Sequence, residues 1–168
     1  MFGYEDKEFE ANLQVLMVAP DGSKWTVLDR EDWAWAKEHK WSLSHGYAMR
    51  GVRHGKKNAT YFLHREIALR MFGGEALKGK QVDHIDRNPL NNSRQNLRLA
   101  TQKQNARNHS RSSRNTSGAT GVSQCKKSHK WKANLAGKHL GCYVTKKAAI
   151  EARKQAERVH WGEFAPKY

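Results

Sequence analysis

Hydrophobic and polar positions along the chain divide it into three segments with different patterns. Residues 1–58 mix polar side chains with short apolar runs. Residues 59–108 contain one amphipathic helix pattern followed by two short apolar runs around a polar loop. Residues 118–168 contain three short alternating runs and then a second helix pattern. The order of these patterns predicts an α+β protein with small antiparallel sheets.

The first two segments predict a mixed set of strands and helices. In the first, we expect strands at residues 24–28, 41–44 and 47–52, a helix over residues 29–39, and a polar turn at residues 54–58. In the second, we expect a strand at 60–63, a helix at 64–72 ended by Gly73-Gly74, a strand ending at Asp83, a polar loop at 86–93, a strand at 96–99, and a helix starting near Thr101.

The third segment predicts three strands packed on one helix. The strands are expected at residues 121–126, 130–136 and 139–144, with connections short enough for hairpins. Thr145 is a suitable N-cap for the helix. The helix has a stripe of small apolar residues suited to packing on a sheet: Ala148, Ala149, Ala152, Ala156 and Val159.

Between these domains, residues 109–117 form a polar, basic stretch with no apolar residue to bury. This composition predicts a linker that follows a DNA backbone through Arg111 and Arg114. We therefore expect three parts: residues 1–108, the linker at residues 109–117, and a second domain at residues 118–168.

Composition narrows the class of protein. No run approaches 18 consecutive apolar residues, so no membrane-spanning helix is expected, and the first residues lack signal-peptide features. A cytoplasmic location is therefore expected, in the host cell if the chain is phage-encoded. The two cysteines, Cys125 and Cys142, form no C-x-x-C pair, which argues against a disulfide framework and a four-cysteine zinc site.

The charge is unevenly distributed. The formal net charge is +15, but residues 1–50 carry 6 basic and 9 acidic side chains, whereas residues 51–168 carry 25 basic and 7 acidic ones. A field of this size favours a polyanion, because each phosphate contact releases counterions. Double-stranded DNA is the partner we expect. A membrane surface is less favoured, because no Lys/Arg-rich amphipathic helix is present.

The residues that carry candidate chemistry are Asp83, His84, Asn96 and Asn105, in the spacing D-H-x11-N-x8-N. Phosphodiester hydrolysis needs a base that takes a proton from water, and neutral histidine can do this. It also needs charge neutralisation, which a hard divalent cation held by carboxylate and amide oxygens can supply. Adjacent strand residues point to opposite faces, so Asp83 and His84 can share a site only where the strand ends or bends.

Residues from about Thr60 to Asn108 resemble the HNH endonucleases with a ββα-metal fold. The resemblance rests on Tyr61-Phe62-Leu63-His64-Arg65, Val82-Asp83-His84-Ile85-Asp86, Asn91-Asn92, Asn96-Leu97-Arg98 and Asn105-Ala106-Arg107-Asn108. It implies that His84 is the general base, that Asp83 and Asn105 bind one divalent metal, and that Asn96 braces the loop and orients His84. Asn105 makes this the H-N-N variant, which favours Mg²⁺ or Mn²⁺. Zinc is not expected, because the segment lacks the C-x-x-C pairs found in many relatives.

Four further residues have two open interpretations. His64 and Arg65 support the site or contact a phosphate, or else serve the fold. Arg98 and Asn108 contact phosphate, or else belong to a solvated surface. Asn91 and Asn92 are weaker candidates, since turns favour asparagine.

The predicted C-terminal sheet presents one polar, basic face. Alternation places Lys130, Lys132 and Asn134 opposite the apolar Trp131, Ala133 and Leu135. A basic sheet face is suited to the major groove of DNA. A basic scaffold without groove contact is the alternative. The expected DNA-contacting residues of this domain are Ser123, Lys130, Lys132, Asn134, Lys138 and His139.

The same segment resembles the DNA-binding domain of plant ethylene-response (Apetala-two) factors. The resemblance rests on Thr120-Gly121-Val122, Lys130-Trp131-Lys132-Ala133, Leu140-Gly141-Cys142-Tyr143 and Thr145-x-x-Ala148-Ala149. Thr120, Ser123 and Ala136 stand near the positions of that family's base-reading arginines. The family's target sequence therefore does not transfer to this chain.

Together these features predict a metal-dependent DNA endonuclease of homing type, encoded by a phage or mobile element. One active site per chain predicts nicking by a monomer, or cleavage by a transient dimer on DNA, and no obligatory protein partner is indicated. A DNA-binding regulator with a degenerate nuclease domain is the first alternative, and an RNA-binding protein is the second. A defence, packaging or repair nuclease would show the same residues.

Overall fold

The computed structural model describes residues 12–19, 21–108, 115–126 and 128–166. The chain divides into two compact units, Met1–Asn105 and Ala106–Tyr168. The first unit combines small antiparallel sheets with helices, and the second has one described antiparallel sheet with a helix. This mixed α/β structure is consistent with the presence of an HNH domain. Among the described residues, no helix is both long and apolar enough to cross a membrane.

The first unit contains seven described strands and three described helices. They are β1 (Leu13–Met17), β2 (Trp25–Asp29), α1 (Arg30–Ala36), β3 (Ser42–Ser44), β4 (Tyr47–His54), β5 (Lys57–Phe62), α2 (Leu63–Ala76), β6 (Gln81–His84), β7 (Leu97–Ala100) and α3 (Gln102–Asn105). They form an antiparallel pair β1-β2, a three-stranded sheet β3-β4-β5 and an antiparallel pair β6-β7. A single 3-10 turn, Arg94–Asn96, leads into β7.

The core of this unit joins residues from β2, α1, β4, α2 and β7 with two residues that lie between elements. Its buried members are Val18, Leu28, Ala36, Trp41, Ala48, Leu63, Ile67 and Leu97. Ile67 lies on the predicted apolar face of α2, and Leu97 lies next to the candidate site in β7. The region N-terminal to residue 59 therefore packs with the catalytic segment in one core.

Most predicted elements of the first unit are confirmed, with three differences. Strand β1 was not predicted from the sequence, and α1 ends at Ala36 instead of His39. The predicted turn at residues 54–58 is narrower, because His54 and Lys57 already pair across β4 and β5. The predicted end of the second helix is confirmed, because helical geometry breaks at Gly73, where φ is 76° and ψ is 160°, and the turn that continues to Ala76 lies beyond this break.

The second unit contains β8 (Val122–Gln124), β9 (Trp131–Leu135), β10 (Lys138–Tyr143) and α4 (Lys146–Trp161). The sheet has β9 in the centre, antiparallel to both neighbours. Its core joins Val122 and Ala133 from the sheet with Ala149 from the helix. As predicted, Thr145 caps α4, because its hydroxyl oxygen accepts a hydrogen bond from the Ala148 backbone N–H at 3.1 Å.

The predicted alanine stripe of α4 is only partly correct. Ala149 is buried, but Ala148 is exposed and Val159 is 69% exposed. The buried positions one and two turns after Ala149 are Arg153 and Glu157, which form an ion pair at 2.6 Å. An i,i+4 pair of opposite charge can be buried with its charges matched, which a search for apolar periodicity does not detect.

Arg153 also connects the helix to the sheet and to a required glycine. Its guanidinium donates a hydrogen bond to the Asn134 carbonyl oxygen. Gly121 lies at the same point with a φ of 70°, and a Cβ there would come within 2.4 Å of that carbonyl oxygen. This position therefore requires glycine for both its conformation and its space.

Candidate active site

Asp83 and His84 are the penultimate and last residues of β6, which ends one residue beyond the predicted end at Asp83. Asp83 pairs across to Arg98, and His84 pairs across to Leu97. The two side chains are only 5% and 6% exposed. Strand β6 thus delivers a carboxylate and an imidazole to neighbouring positions in a largely desolvated environment.

The His84 imidazole is held by a chain of buried hydrogen bonds. His84 Nε2 lies 3.1 Å from Asn92 Oδ1, and Asn92 Nδ2 donates to Thr26 Oγ1 at 2.6 Å. The Thr26 hydroxyl in turn donates to the Leu90 carbonyl oxygen at 2.8 Å. Asn92 and Thr26 are fully buried. The polar interior is therefore satisfied by side chains from β2 and from the loop before β7.

The direction of this chain sets the tautomer of His84. Because Asn92 uses its amide nitrogen to donate to Thr26, its amide oxygen faces the imidazole. His84 Nε2 must then carry the proton, which leaves Nδ1 as the basic nitrogen. Burial lowers the pKa of His84 below its usual value, against the opposing effects of Asn92, Asp86 and Asp83. The imidazole is therefore neutral at pH 7 and can accept a proton.

Backbone hydrogen bonds also hold β2 against the loop that precedes β7. Val27 N–H donates to the Leu90 carbonyl at 2.8 Å, and Asn92 N–H donates to the Val27 carbonyl at 2.7 Å. Val27 and Asn91 form a parallel bridge. The N-terminal segment thus holds the loop that carries the partner of His84.

Asp83 is engaged by an arginine on the facing strand. Arg98 contacts Asp83 Oδ2 through Nε at 2.8 Å and through a terminal nitrogen at 2.7 Å. The arginine side chain is 11% exposed. The one carboxylate proposed as a metal ligand therefore lies in a charge-matched pair.

Asn105 lies on the same side of the β6-β7 hairpin as Asp83. It is the last residue of α3, and its Nδ2 donates to Gln81 Oε1 at 2.7 Å. Gln81 and Asp83 are two residues apart in β6 and so share a face. With its amide nitrogen engaged, Asn105 has its amide oxygen as the atom suited to bind a cation.

Asn96 joins the two ends of the loop between β6 and β7. Its Nδ2 donates to Asp86 Oδ1 at 2.9 Å and to the Asn91 carbonyl at 2.7 Å, and its Oδ1 accepts from Asp86 N–H at 3.0 Å. Its carbonyl accepts from Ile85 N–H at 2.9 Å. These bonds hold the loop, whereas Asn92 forms the hydrogen bond to His84 Nε2.

An aromatic wall covers the other side of His84. The rings of His64 and His84 are 5.3 Å apart and nearly perpendicular, and Tyr47 lies 5.2 Å from His64 and 6.0 Å from His84. Phe62 adds a contact with His64 at 5.6 Å. Burial, together with the neighbouring His84 and Arg65, lowers the pKa of His64 to about 3. His64 is therefore neutral throughout the physiological range.

Arg94 fastens helix α1 to the catalytic loop. Its guanidinium forms two bonds to the carboxylate of Asp32, at 2.7 and 3.1 Å, and contacts Glu31 at 2.6 Å. Its backbone N–H donates to Asp29 Oδ2 at 2.7 Å. The Asp32 side chain is 1% exposed. Part of the acidic charge of residues 1–50 is therefore used to hold the site together.

The remaining predicted site residues are spread over both units. Arg65 is exposed in α2, and Asn108 is buried and lies in the second unit. Ser123, Lys130, Lys138 and His139 are exposed, while Lys132 and Asn134 are half-buried. Cys142 lies exposed in β10, whereas Cys125 is half-buried. Arg111 and Arg114 lie outside the described residues, but Asn115 and Ser117 of the predicted linker both bond to the Ala119 carbonyl.

A histidine and a carboxylate at the end of one strand, with a bracing asparagine and a following helix, define the class of nuclease domain that the sequence predicted. Residues 61–107 match the model of the family described as HNH endonuclease. The chain therefore carries an HNH endonuclease domain, which confirms that prediction. HNH nucleases generally use a divalent metal, and a nuclease domain of this kind implies DNA as substrate.

Three relatives are similar to parts of this chain. Protein 3.8 of Escherichia phage T7 is 44% identical over 62 residues, which cover 37% of this chain and 51% of the phage protein. YosQ of Bacillus subtilis (strain 168), an SPbeta prophage-derived HNH homing endonuclease by its name, is 41% identical over 61 residues, which cover 36% of this chain and 35% of YosQ.

A third relative is similar over more of its length. Protein L560 of Acanthamoeba polyphaga mimivirus, named as an uncharacterized HNH endonuclease, is 33% identical over 129 residues. These residues cover 70% of this chain and 66% of L560. The chain thus spans about half or less of the first two relatives. No solved structure is significantly similar to it.

Sequence reasoning missed three side chains of the site. Asn92 was treated as a weak candidate, although it is the hydrogen-bond partner of His84. Thr26 and Tyr47 lie 58 and 37 residues before His84, and no local pattern connects them to it. Only the Asn91-Asn92 pair within the resemblance offered a signal.

Proposed function

We propose that this chain is a metal-dependent DNA endonuclease in which His84 is the general base and Asp83 and Asn105 hold one divalent cation. The observation that carries the proposal is the buried chain from His84 through Asn92 to Thr26, because it fixes a neutral imidazole with its basic nitrogen at Nδ1. A histidine held in this way beside a carboxylate, within an HNH match, is suited to activating water.

The donor set fits a hard divalent cation. Asp83 offers a carboxylate and Asn105 an amide oxygen, and both are ligand types preferred by Mg²⁺ and Mn²⁺. When bound, such a cation stabilises the charge that develops on the phosphate and on the leaving 3′ oxygen. The site has little carboxylate charge of its own, and Arg98 already neutralises Asp83. We therefore expect weak metal binding by the free protein.

The protein's own groups supply the remaining parts of the reaction. His84 Nδ1 accepts the proton of the attacking water, and Asn92 stabilises the resulting imidazolium by accepting from Nε2. The wall formed by His64, Tyr47 and Phe62 excludes water from one side of the imidazole. Asn96 maintains the loop conformation that brings Asn92 to His84. Asn96 is thus proposed as a positioning residue and His84 as the catalytic one.

The fold that we propose for the core of this domain is ββα-metal. Strands β6 and β7 pair in antiparallel register from Gln81–Ala100 to His84–Leu97, and helix α3 follows directly. We expect Mg²⁺ or Mn²⁺ and not zinc. The phage, prophage and mimivirus sources of the three relatives support a phage or mobile-element origin. The name of YosQ supports a homing role.

We further propose that the second unit binds duplex DNA through the open face of its sheet, as in the Apetala-two type of domain. The register aligns Ser123, Lys132 and Cys142 across the three strands, and Asn134 pairs with His139 on the same face. Ala133 and Leu135 on the other face are buried. The polar and basic face is therefore the one that remains for the major groove, with contacts from Lys130 and Lys138 at its edges.

The nuclease proposal is tested by a cleavage assay on supercoiled plasmid and host genomic DNA, with Mg²⁺ or Mn²⁺ compared with EDTA. Wild type is compared with His84→Ala and with His160→Ala, a control histidine exposed on α4. We expect cation-dependent cutting by wild type and His160→Ala and none by His84→Ala, while all three bind DNA. Cutting in EDTA, or undiminished cutting by His84→Ala, would overturn the proposal.

A further inference from the structure

The hairpin formed by β4 and β5 is basic, although residues 1–50 carry more acidic than basic side chains. No aspartate or glutamate occurs between Glu38 and Glu66. The same stretch contains six basic side chains: Lys40, Arg50, Arg53, Lys56, Lys57 and Arg65. The first unit therefore combines acidic residues that hold its fold with one entirely basic hairpin.

One face of this hairpin continues from the candidate active site. Tyr47, which contacts the rings of His64 and His84, is the first residue of β4. Side chains alternate along a strand, so Arg53 lies on the same face as Tyr47. Across the hairpin, Arg53 pairs with Asn58. A ligand that extends along this face from the site would meet Arg53.

Beyond Met49 and Phe62, which pair on this face next to Tyr47, the path to Arg53 has small side chains. Gly51 faces Thr60 midway along the same face. A Cβ placed on Gly51 would meet no atom within 4 Å. The middle of the face is therefore flat and open, which allows a nucleic-acid backbone to approach it closely.

The tip of the hairpin concentrates exposed cationic groups. Arg53, Lys56 and Lys57 are all exposed. Arg53 Nε donates to the Gly55 carbonyl at 3.1 Å, which holds its guanidinium at the tip. In the part of the chain that the structure describes, no acidic side chain forms an ion pair with these three residues, whereas Arg50 nearer the base pairs with Glu66 at 3.1 Å.

The hairpin is long enough for its tip to contact the DNA duplex whose scissile bond is held at His84. Arg53 is six residues from Tyr47, which corresponds to about 20 Å at roughly 3.3 Å per strand residue. Phosphates of one DNA strand advance about 3.4 Å each along the helix axis. The tip therefore reaches phosphates about half a helical turn away from a bond held at His84.

We propose that the β4–β5 hairpin is a DNA-contacting arm of the nuclease unit, in which Arg53, Lys56 and Lys57 bind backbone phosphates beside the cleavage site. The proposal rests on the proposed function for its substrate, duplex DNA. It adds a binding surface outside the second unit, which explains how a small catalytic core is aligned on DNA independently of sequence readout.

The test compares two triple variants that remove the same charge from the first unit. The arm variant is Arg53→Ser, Lys56→Ser and Lys57→Ser. The control is Lys24→Ser, Lys37→Ser and Lys40→Ser, three exposed lysines that lie outside the hairpin. Both are made with His84→Ala so that DNA stays intact, and affinity for a mixed-sequence duplex is measured over a range of salt concentrations.

Loss of three phosphate contacts should reduce the slope of log affinity against log salt by about 2.7 in magnitude and weaken binding by roughly tenfold to a hundredfold. The control should change little. The charge-preserving variant Arg53→Lys, Lys56→Arg and Lys57→Arg should bind as the parent does, and unchanged thermal unfolding of the arm variant shows that it remains folded.

The proposal is overturned if the arm variant binds duplex DNA as the control does. Failure of the proposed function is read separately, from cleavage by the chain with His84 intact. If the chain does not cut DNA but needs the arm for binding, the arm proposal stands and the nuclease proposal fails. If the chain cuts normally and the arm does not affect binding, the nuclease proposal stands and the arm proposal fails.

Discussion

Arg98 places two nitrogens within 2.8 Å of the same oxygen of Asp83, directly across the β6-β7 hairpin. Both side chains are almost entirely buried. The pair satisfies a carboxylate that would otherwise be costly to bury without a cation. It also places a positive charge beside a proposed ligand for a second positive charge, so Arg98 opposes metal binding and stabilises the protein without metal.

This relationship predicts the effect of Arg98→Gln. The metal-free variant should lose about 3–5 kcal/mol of unfolding free energy, because Asp83 is left buried without its partner. Its affinity for Mn²⁺ should rise, since the competing guanidinium is gone. Thermal unfolding with and without Mn²⁺, together with Mn²⁺ binding followed by electron paramagnetic resonance, measures both effects.

The matched control for that experiment is Arg30→Gln, at an exposed arginine in α1. It should change neither quantity. Equal Mn²⁺ affinity in wild type and Arg98→Gln would show that Arg98 does not compete with the cation at Asp83.

Asn92 is predicted to control the protonation of His84. In Asn92→Asp, a negative charge replaces the amide beside Nε2, so the pKa of His84 should rise. The acidic limb of the profile of cleavage rate against pH should then move to higher pH, because a larger fraction of the imidazole is protonated at a given pH. The pH dependence of single-turnover cleavage measures this shift.

A milder change, Thr26→Val, tests the far end of the same chain. It removes the acceptor of the Asn92 amide at nearly constant volume. The free energy of unfolding should fall by about 1–3 kcal/mol, because a buried donor is left unsatisfied.

For Asn92→Asp, a pH–rate profile that superimposes on the wild-type profile would exclude Asn92 as the group that positions the proton.

Arg94 and Asp32 should be coupled in stability. Arg94→Ala leaves the carboxylate of Asp32 buried and unpaired, and we expect a loss of about 3–5 kcal/mol in unfolding free energy. The double variant with Asp32→Ala should lose less than the sum of the two single variants, because each single change leaves a charge without its partner. Urea denaturation of the four proteins measures the coupling, and strict additivity would contradict it.

His64 should make the protein less stable in acid. Its pKa is lowered from 6.5 to about 3 in the folded state, so the unfolded chain binds a proton more readily than the folded chain does. Stability due to the neutral ring is full above pH 6.5 and is lost as the pH falls towards 3, at about 1.4 kcal/mol per pH unit.

The replacement His64→Gln should flatten this part of the stability curve. The lowered pKa of His84 adds to the slope in the same direction, so some dependence on pH remains. Denaturation midpoints measured between pH 4 and pH 7, where the slope from His64 is ~1.4 kcal/mol per unit, provide the check. A wild-type stability that is constant over this range would contradict burial of a neutral His64.

Local patterns in the sequence predicted much of the fold, and the exceptions have physical causes. The strand predicted to end at Asp83 ends at the adjacent His84, and the predicted cap at Thr145 is present, because both features follow from short-range rules. The break in helical geometry at Gly73 was predicted in the same way, from a glycine that can adopt a positive φ. The buried Arg153–Glu157 pair was missed, because apolar periodicity does not recognise two opposite charges that are buried together.

The sequence predicted less of the candidate site than of the fold. Its members at residues 83, 84, 96 and 105 have a characteristic spacing, whereas Thr26 and Tyr47 reach it through strands distant in the chain. The role of Arg98 was ambiguous, because only its register opposite Asp83 shows that it faces the carboxylate. Spacing along a chain identifies candidate chemistry, but the partners of each group depend on tertiary pairing.

Single-turnover DNA cleavage by wild type and His84→Ala, with DNA and Mg²⁺ both saturating, tests most directly whether His84 is the general base. We predict that the variant binds DNA and Mn²⁺ like the wild type but cleaves about 10²–10⁴-fold more slowly, because only the proton acceptor has been removed. A variant that cleaves within a few-fold of the wild-type rate would show that His84 is not the general base.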